Sequence, residues 1–254
     1  MEEKLLKPPD KTSTHKLIAY RRGNKWGFCD RNKKIIIPVK YDIVGVFNDG
    51  LVKVELNNKW GFINEKGEEV TDIKFDFVED FYNGFARVNF GIKLNGDKIV
   101  FPGKWGIINK SGKETIPVQY NLIGDFEEGL FPVGLNNKWG FIDRDGKQVT
   151  PIKFEEIGKF NEGLISVKLN GMWGFINNEG KEIVPNSYTE VGEFNNSIVK
   201  VCLNGWWGFI NINGKGITAI KYDKIIDNGG ELVLAKLTGK WGYIDKNGTE
   251  YFED

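Results

Sequence analysis

The sequence predicts an all-β tandem-repeat protein, and three observations carry that prediction. A Trp-Gly pair recurs at Trp26, Trp60, Trp105, Trp139, Trp173, Trp207 and Trp241, with spacings of 34, 45, 34, 34, 34 and 34 residues. The 254 residues include 32 glycines and 18 phenylalanines, whereas alanine occurs only at Ala19, Ala86, Ala219 and Ala235. Glycine and proline cost an interior helix about 1 and about 3 kcal/mol per residue, so a period of 34 does not read as helical hairpins here. Asn/Asp and Gly recur at fixed offsets between short apolar runs, which is turn chemistry between strands.

Each element of the repeat follows in order. The Trp-Gly strand continues with Phe28, Phe62, Ile107, Phe141, Phe175, Phe209 or Tyr243, then Cys29 or an isoleucine. Successive side chains alternate between faces, so both faces of this strand are apolar and both are covered. A turn follows, opened by Asp30, Asn64, Asn109, Asp143, Asn177, Asn211 or Asp245 and closed three residues later, by glycine in six copies and by Lys33 in the first. That pattern suits a type I turn closed by a left-handed residue. A second strand, as in KKIIIP or KEIVP, ends near Pro38, Pro117, Pro151 or Pro185. A third short strand starts at Tyr41, Phe75, Tyr120, Phe154, Tyr188 or Tyr222, and the residue six positions on is Phe in five copies and Asn228 in the last. The fourth, as in LVKVELN, alternates Val52, Val54 and Leu56 with Lys53 and Glu55.

Seven such antiparallel meander units of about 34 residues are expected, stacked because none can bury its own faces. The expected arrangement is a seven-bladed β-propeller-like ring, with an open β-solenoid or superhelical array as the alternative. Residues 1–16 read as an N-terminal tail and 17–254 as a single repeat domain. About eleven extra residues within 89–103 read as an inserted hairpin marked by Asn95-Gly96. The seven repeat tryptophans are expected to be the glue between modules.

The recurring K-W-G-F-I-[DN]-x-x-G-K…P…[YF]-D…F…G-L…V resembles the WG, or KWG, repeat family of bacterial proteins, over residues 17–254 in seven copies. The resemblance implies a β-rich tandem array. It brings no shared activity and no catalytic residues.

Composition excludes several functions. Lys+Arg and Asp+Glu are 35 each, so no basic field exists to hold a phosphate backbone, and nucleic acid is not an expected partner. No stretch approaches the ~20 apolar residues of a membrane span, and no secretory signal is visible. The cytoplasm is the expected location, with export as the alternative. One histidine, His15, and two cysteines, Cys29 and Cys202, supply neither a triad nor a zinc site. Cys29 reads as a small buried hydrophobe and Cys202 as an exposed thiol on a polar face. The pairs Glu127-Glu128 and Glu155-Glu156 read as solvated turn residues. No metal, cofactor or catalytic residue is expected.

The informative positions are departures from the repeat. The residue before Trp-Gly is lysine in five units, but Met172 and Trp206 in adjacent ones. If that column faces solvent, the two form an apolar patch. Met172, Trp206 and the inserted hairpin, with Lys93, Asn95 and Asp97, are the candidate contact residues. A non-enzymatic scaffold binding another protein is the leading expectation. A carbohydrate-binding module at a cell surface is the alternative, and a hydrolase on the same scaffold a distant third.

Overall fold

A computed structural model describes residues 17–95, 98–227 and 230–252. The N-terminal tail with His15, and Asp97, lie outside the described residues. The chain divides into two compact units, Met1–Ile123 and Gly124–Asp254. Among the described residues there is no helix, and seven small antiparallel sheets fill both units.

The first unit holds sheet one (Ile18–Arg22, Lys25–Cys29, Ile35–Tyr41), sheet two (Ile43–Val44, Leu51–Leu56, Lys59–Asn64) and sheet three (Phe77–Val78, Phe85–Asn95, Lys98–Asn109, Glu114–Tyr120). The second unit holds sheet four (Leu130–Leu135, Lys138–Asp143, Gln148–Phe154), sheet five (Glu156–Asn161, Leu164–Leu169, Met172–Asn177, Glu182–Tyr188), sheet six (Glu190–Val191, Ile198–Leu203, Trp206–Asn211) and sheet seven (Lys224–Ile226, Leu232–Leu237, Lys240–Asp245, Glu250–Tyr251). Each sheet is open, not closed on itself.

The sheets are out of phase with the repeat as written from Trp-Gly. Sheets three, five and seven each take the last two strands of one copy and the first two of the next. Sheet two begins at Ile43, and its central pair is Leu51–Leu56 against Lys59–Asn64, in register Val54↔Gly61 and Glu55↔Trp60. The break falls where the chain turns at Tyr41-Asp42.

Turn chemistry accounts for the joints. In all seven copies the opening Asn or Asp accepts the amides two and four residues on, as Asp30 Oδ1 does from Asn32 and Lys34 at 2.8 and 2.9 Å. Lys33 adopts φ 63°, so the copy without glycine keeps the left-handed closing residue. The short hairpins use two consecutive left-handed residues, as at Asn57-Asn58 (54° and 60°) and Asn170-Gly171 (53° and 77°), which is type I′ geometry.

The glycine of Trp-Gly has a steric cause. The next strand shifts register beside it, and a Cβ on Gly27 would lie 2.5 Å from the Ile37 carbonyl oxygen. On Gly174 it would lie 2.5 Å from that of Val184. Any side chain there would displace the backbone of the neighbouring strand.

The core lies between successive sheets within each unit. Leu51, Phe62 and Phe75 of sheet two pack on Val78, Phe81, Ala86, Val88 and Ile108 of sheet three. Leu130, Phe141 and Phe154 of sheet four pack on Ile165, Val167 and Ile176 of sheet five. In these pairs the phenylalanine-bearing face of one sheet meets the β-branched face of the next within the same unit. Edge-on ring pairs recur at these contacts: Phe28–Phe47 at 4.9 Å, Phe62–Phe81 at 4.7 Å and Phe175–Phe194 at 4.9 Å.

The tryptophans do not form the centre of this core. Six of the seven repeat indoles are half-buried and Trp241 is exposed, whereas the Phe or Ile two residues later is buried in the first six copies. Each indole sits at the strand end beside the short hairpin. Cationic side chains cover its face in several copies: Arg21 on Trp26 at 5.5 Å, Lys168 on Trp173 at 5.6 Å, Lys200 on Trp207 at 5.3 Å and Lys236 on Trp241 at 5.9 Å. Their alkyl stems replace part of the apolar cover a sheet would supply. The indoles still touch the inter-sheet clusters from the side, as Trp26, Trp60, Trp139 and Trp207 do.

Candidate functional site

The column before Trp-Gly is a clip between sheets. Lys25 Nζ donates to Asp42 Oδ1 at 2.5 Å, and Asp42 Oδ2 accepts the Asn57 amide at 2.9 Å. One carboxylate therefore ties sheet one to the hairpin turn of sheet two. Lys59, Asp76 and the Gly91 amide repeat the arrangement, as do Lys138, Glu155 and the Gly171 amide. The Lys25 hydrogen bond, with that of Asn57, holds the Asp42 carboxyl below its ordinary value. The Gly171 amide, with Lys138, does the same for Glu155.

Met172 and Trp206 are the positions where this clip changes. Seventeen residues after Met172 stands Thr189, whose hydroxyl donates to the Cys202 carbonyl at 3.0 Å. Met172 itself is half-buried, with its carbonyl accepting from Asn186 Nδ2 at 3.0 Å. Asp223, the acid that follows Trp206, still accepts its turn amide from Gly239 at 2.9 Å. Trp206 is exposed. The patch expected from this pair is therefore carried by Trp206, because Met172 takes the half-buried place of a clip lysine.

Cys202 is buried, not exposed; its strand has the short strand Glu190–Val191 as an in-sheet neighbour, in register Glu190↔Cys202. Cys29 is buried as expected.

The inserted hairpin is the largest departure from the repeat. Its strands pair from Phe85↔Asn109 to Asn95↔Lys98, whereas the corresponding pair in sheet two stops at Leu56↔Lys59. The extension starts at a built joint. Buried Asn89 donates from Nδ2 to the Pro102 carbonyl at 3.0 Å and accepts the Ile92 amide on Oδ1 at 3.1 Å. Gly91 and Gly103 flank it with φ 86° and 66°. Beyond the joint, Ile99, Val100 and Phe101 are each more than half exposed, and Lys93, paired with Phe101, is exposed too. Asn95 closes the first strand of the extension. Of the candidate residues on this hairpin Lys93 is exposed, and the apolar run at 99–101, not among those candidates, is exposed as well.

A cleft of about 340 Å3 lies between sheets five and six, lined by Gly158, Ser166, Trp173, Phe175, Glu190 and Glu193 among others. In sheets two and six a lysine packs on the corresponding glycine, Lys53 on Gly45 and Lys200 on Gly192. In sheet five that residue is Ser166, so the groove beside Trp173 stays open. Among the described residues no group of three His, Cys, Asp or Glu could hold a metal ion. No helix among them is long and apolar enough to cross a membrane.

A family model described as WG containing repeat matches residues 26–60, 60–91, 105–139, 139–173, 173–205 and 207–241. The chain is a WG-repeat protein. No curated protein matches this WG-repeat chain. Solved structures similar to it include a crystal structure of the eukaryotic initiation factor, at 11% identity and TM-score 0.39, covering 95% of this chain and 74% of that one. Hsv2 of Kluyveromyces marxianus shows 10% identity and TM-score 0.36, covering 77% and 69%. Dihydro-heme d1 dehydrogenase NirN in complex with DHE shows 10% identity and TM-score 0.36, covering 94% and 64%. At these values the likenesses say nothing about what the WG-repeat protein binds or does.

Proposed function

We propose that this WG-repeat protein is a non-enzymatic scaffold that binds another protein, and that the inserted hairpin is its principal contact. The observation that carries this reading is the exposed run Ile99-Val100-Phe101, held on a hairpin joint built around buried Asn89. Exposed contiguous apolar residues on a soluble protein mark contact sites, and aromatic anchors dominate binding energy at such sites. Elsewhere the repeat uses its carboxylates as clips and turn acceptors, roles that need no bound substrate.

The test is affinity purification from the cells that make the protein, followed by direct titration of the purified partner. The intact chain retains one protein partner. Deletion of residues 91–102 loses it, and Phe101→Ser weakens it at least tenfold, an anchor's share. Trp206→Ala leaves it bound. A partner that binds the deleted chain with full affinity contradicts the reading. Glycan binding abolished by Trp206→Ala supports the carbohydrate-binding alternative, which the exposure of Trp206 favours.

A further inference from the structure

In sheet two a lysine reaches across to the following sheet. Lys53, paired with Phe62, packs its stem on Gly45, and its Nζ donates to Asp80 Oδ2 at 3.1 Å. Asp80 immediately precedes Phe81, whose ring meets that of Phe62. The same places are fixed in sheet five by its own ring pair, Phe175 with Phe194 at 4.9 Å. Ser166, paired with Phe175, stands where Lys53 does, Gly158 stands for Gly45, and Glu193, just before Phe194, stands for Asp80. The lysine is lost, but the glycine and the acid are kept. Sheet four gives the contrast: its column holds Pro132 and the residue before Phe160 is Lys159, so cation and acid are gone together. The space that Lys53 fills in sheet two is open in sheet five. It is the cleft of about 340 Å3 beside Trp173, a volume in the range of about 300–1,000 Å3 that ligand sites occupy. Glu193 is exposed and makes no ion pair among the described residues. The lysines nearby do not take the place: Lys168 is held by Glu156 at 2.6 Å, and Lys159, which also lines the cleft, makes no ion pair among the described residues.

We infer that the cleft between sheets five and six receives a lysine side chain presented by another protein. The inference rests on the reading of the chain as a protein-binding scaffold and adds a second site to it, in the unit Gly124–Asp254. The stem of the incoming lysine lies over Gly158 and Ser166, as Lys53 lies over Gly45, and its ammonium reaches Glu193, as Lys53 reaches Asp80. Trp173 supplies an aromatic wall, which covers the methylenes and attracts the cation. A lysine carried on a chain is assigned because a lysine carried on a chain is what fills this place in sheet two. Lys200 packs on Gly192 of sheet six in the same way.

Titration of the isotope-labelled full chain with a capped Gly-Gly-Lys-Gly-Gly peptide, followed by NMR, tests the inference. The indole N–H of Trp173 and the amides of Gly158, Ser166 and Glu193 shift saturably in the millimolar range. The norleucine peptide, which lacks only the ammonium, gives no saturable shift at these signals. Free butylammonium, which is the side chain alone, binds more weakly than the lysine peptide. Ser166→Lys loses the shifts, because the chain then fills the cleft itself as it does in sheet two. Glu193→Gln, at an exposed position that guards against a misfolded Ser166→Lys, weakens binding about 2- to 5-fold, the worth of one surface ion pair. Shifts that are absent with the lysine peptide, equal with the norleucine peptide, or undiminished in Ser166→Lys or Glu193→Gln overturn the inference. Tighter binding of butylammonium than of the peptide overturns it too, and gives the cleft to a free alkylamine. The peptide offers nothing to the inserted hairpin, so a failure here is distinct from a failure of the hairpin to hold a partner.

Discussion

Truncating Phe62 to alanine tests how the sheets are held together. Phe62 is 1% exposed and meets Phe81 edge-on, with ring centroids 4.7 Å apart and planes at 68°. Removing a fully buried phenylalanine costs about 3–5 kcal/mol, from lost transfer energy and the cavity left behind. The ring pair itself contributes about 0.5–1.5 kcal/mol beyond area burial. Urea unfolding of Phe62→Ala therefore shows the full loss. A double-mutant cycle of Phe62→Leu and Phe81→Leu isolates the smaller coupling between sheets two and three. Because Phe62 lies in the cluster that joins sheets two and three, hydrogen exchange locates the lost protection in those two sheets. A cost below about 1 kcal/mol for Phe62→Ala refutes the packing described here.

Three further outcomes are expected. Gly103→Ala sets a Cβ 2.3 Å from Asn89 Oδ1 and 2.5 Å from the Phe90 carbonyl oxygen at φ 66°, so amides of the inserted hairpin lose protection in hydrogen exchange while sheets five to seven keep theirs. Burial raises the Asp76 carboxyl, but hydrogen bonds from Lys59 and the Gly91 amide outweigh it and hold the group below its ordinary value of 3.8. Its stabilisation is therefore complete above about pH 3.8 and lost as pH falls through the lower folded value; Asp76→Asn lowers stability near neutrality by less than about 1 kcal/mol, and the difference vanishes in acid unfolding curves. Both cysteines are buried, so a thiol reagent labels neither Cys29 nor Cys202 in the native protein within minutes and both after unfolding.

Much of this architecture was legible in the sequence because local chemistry decides it. Strand alternation, the Asp30-type turn and the Asn170-Gly171 hairpin each rest on a few neighbouring residues. The phase of the sheets was less legible. It is decided at Asp42, Asp76 and Glu155, where a carboxylate reaches a lysine seventeen residues back and a turn amide of the next hairpin. The signal was present in the columns: Lys25, Lys59 and Lys138 each face an acid seventeen residues on, and Met172 faces Thr189. The tryptophans misled for a different reason. An indole recurring in step with Phe and Ile reads as core, but a strand-end position leaves its face to lysine stems. Cys202 misled because its column is polar in other copies, as at Glu55 and Lys168, yet polarity there does not fix exposure: Asn89 in the same column is buried too.

The packing of a phenylalanine face on the β-branched face of the following sheet is the claim on which the rest depends. Nuclear Overhauser contacts between labelled phenylalanine rings and isoleucine and valine methyl groups measure it most directly. Phe141 of sheet four is predicted to show contacts to Ile165, Val167 and Ile176 of sheet five, with which it shares one buried cluster. Contacts from the Phe141 ring confined to methyl groups of its own sheet would contradict the account.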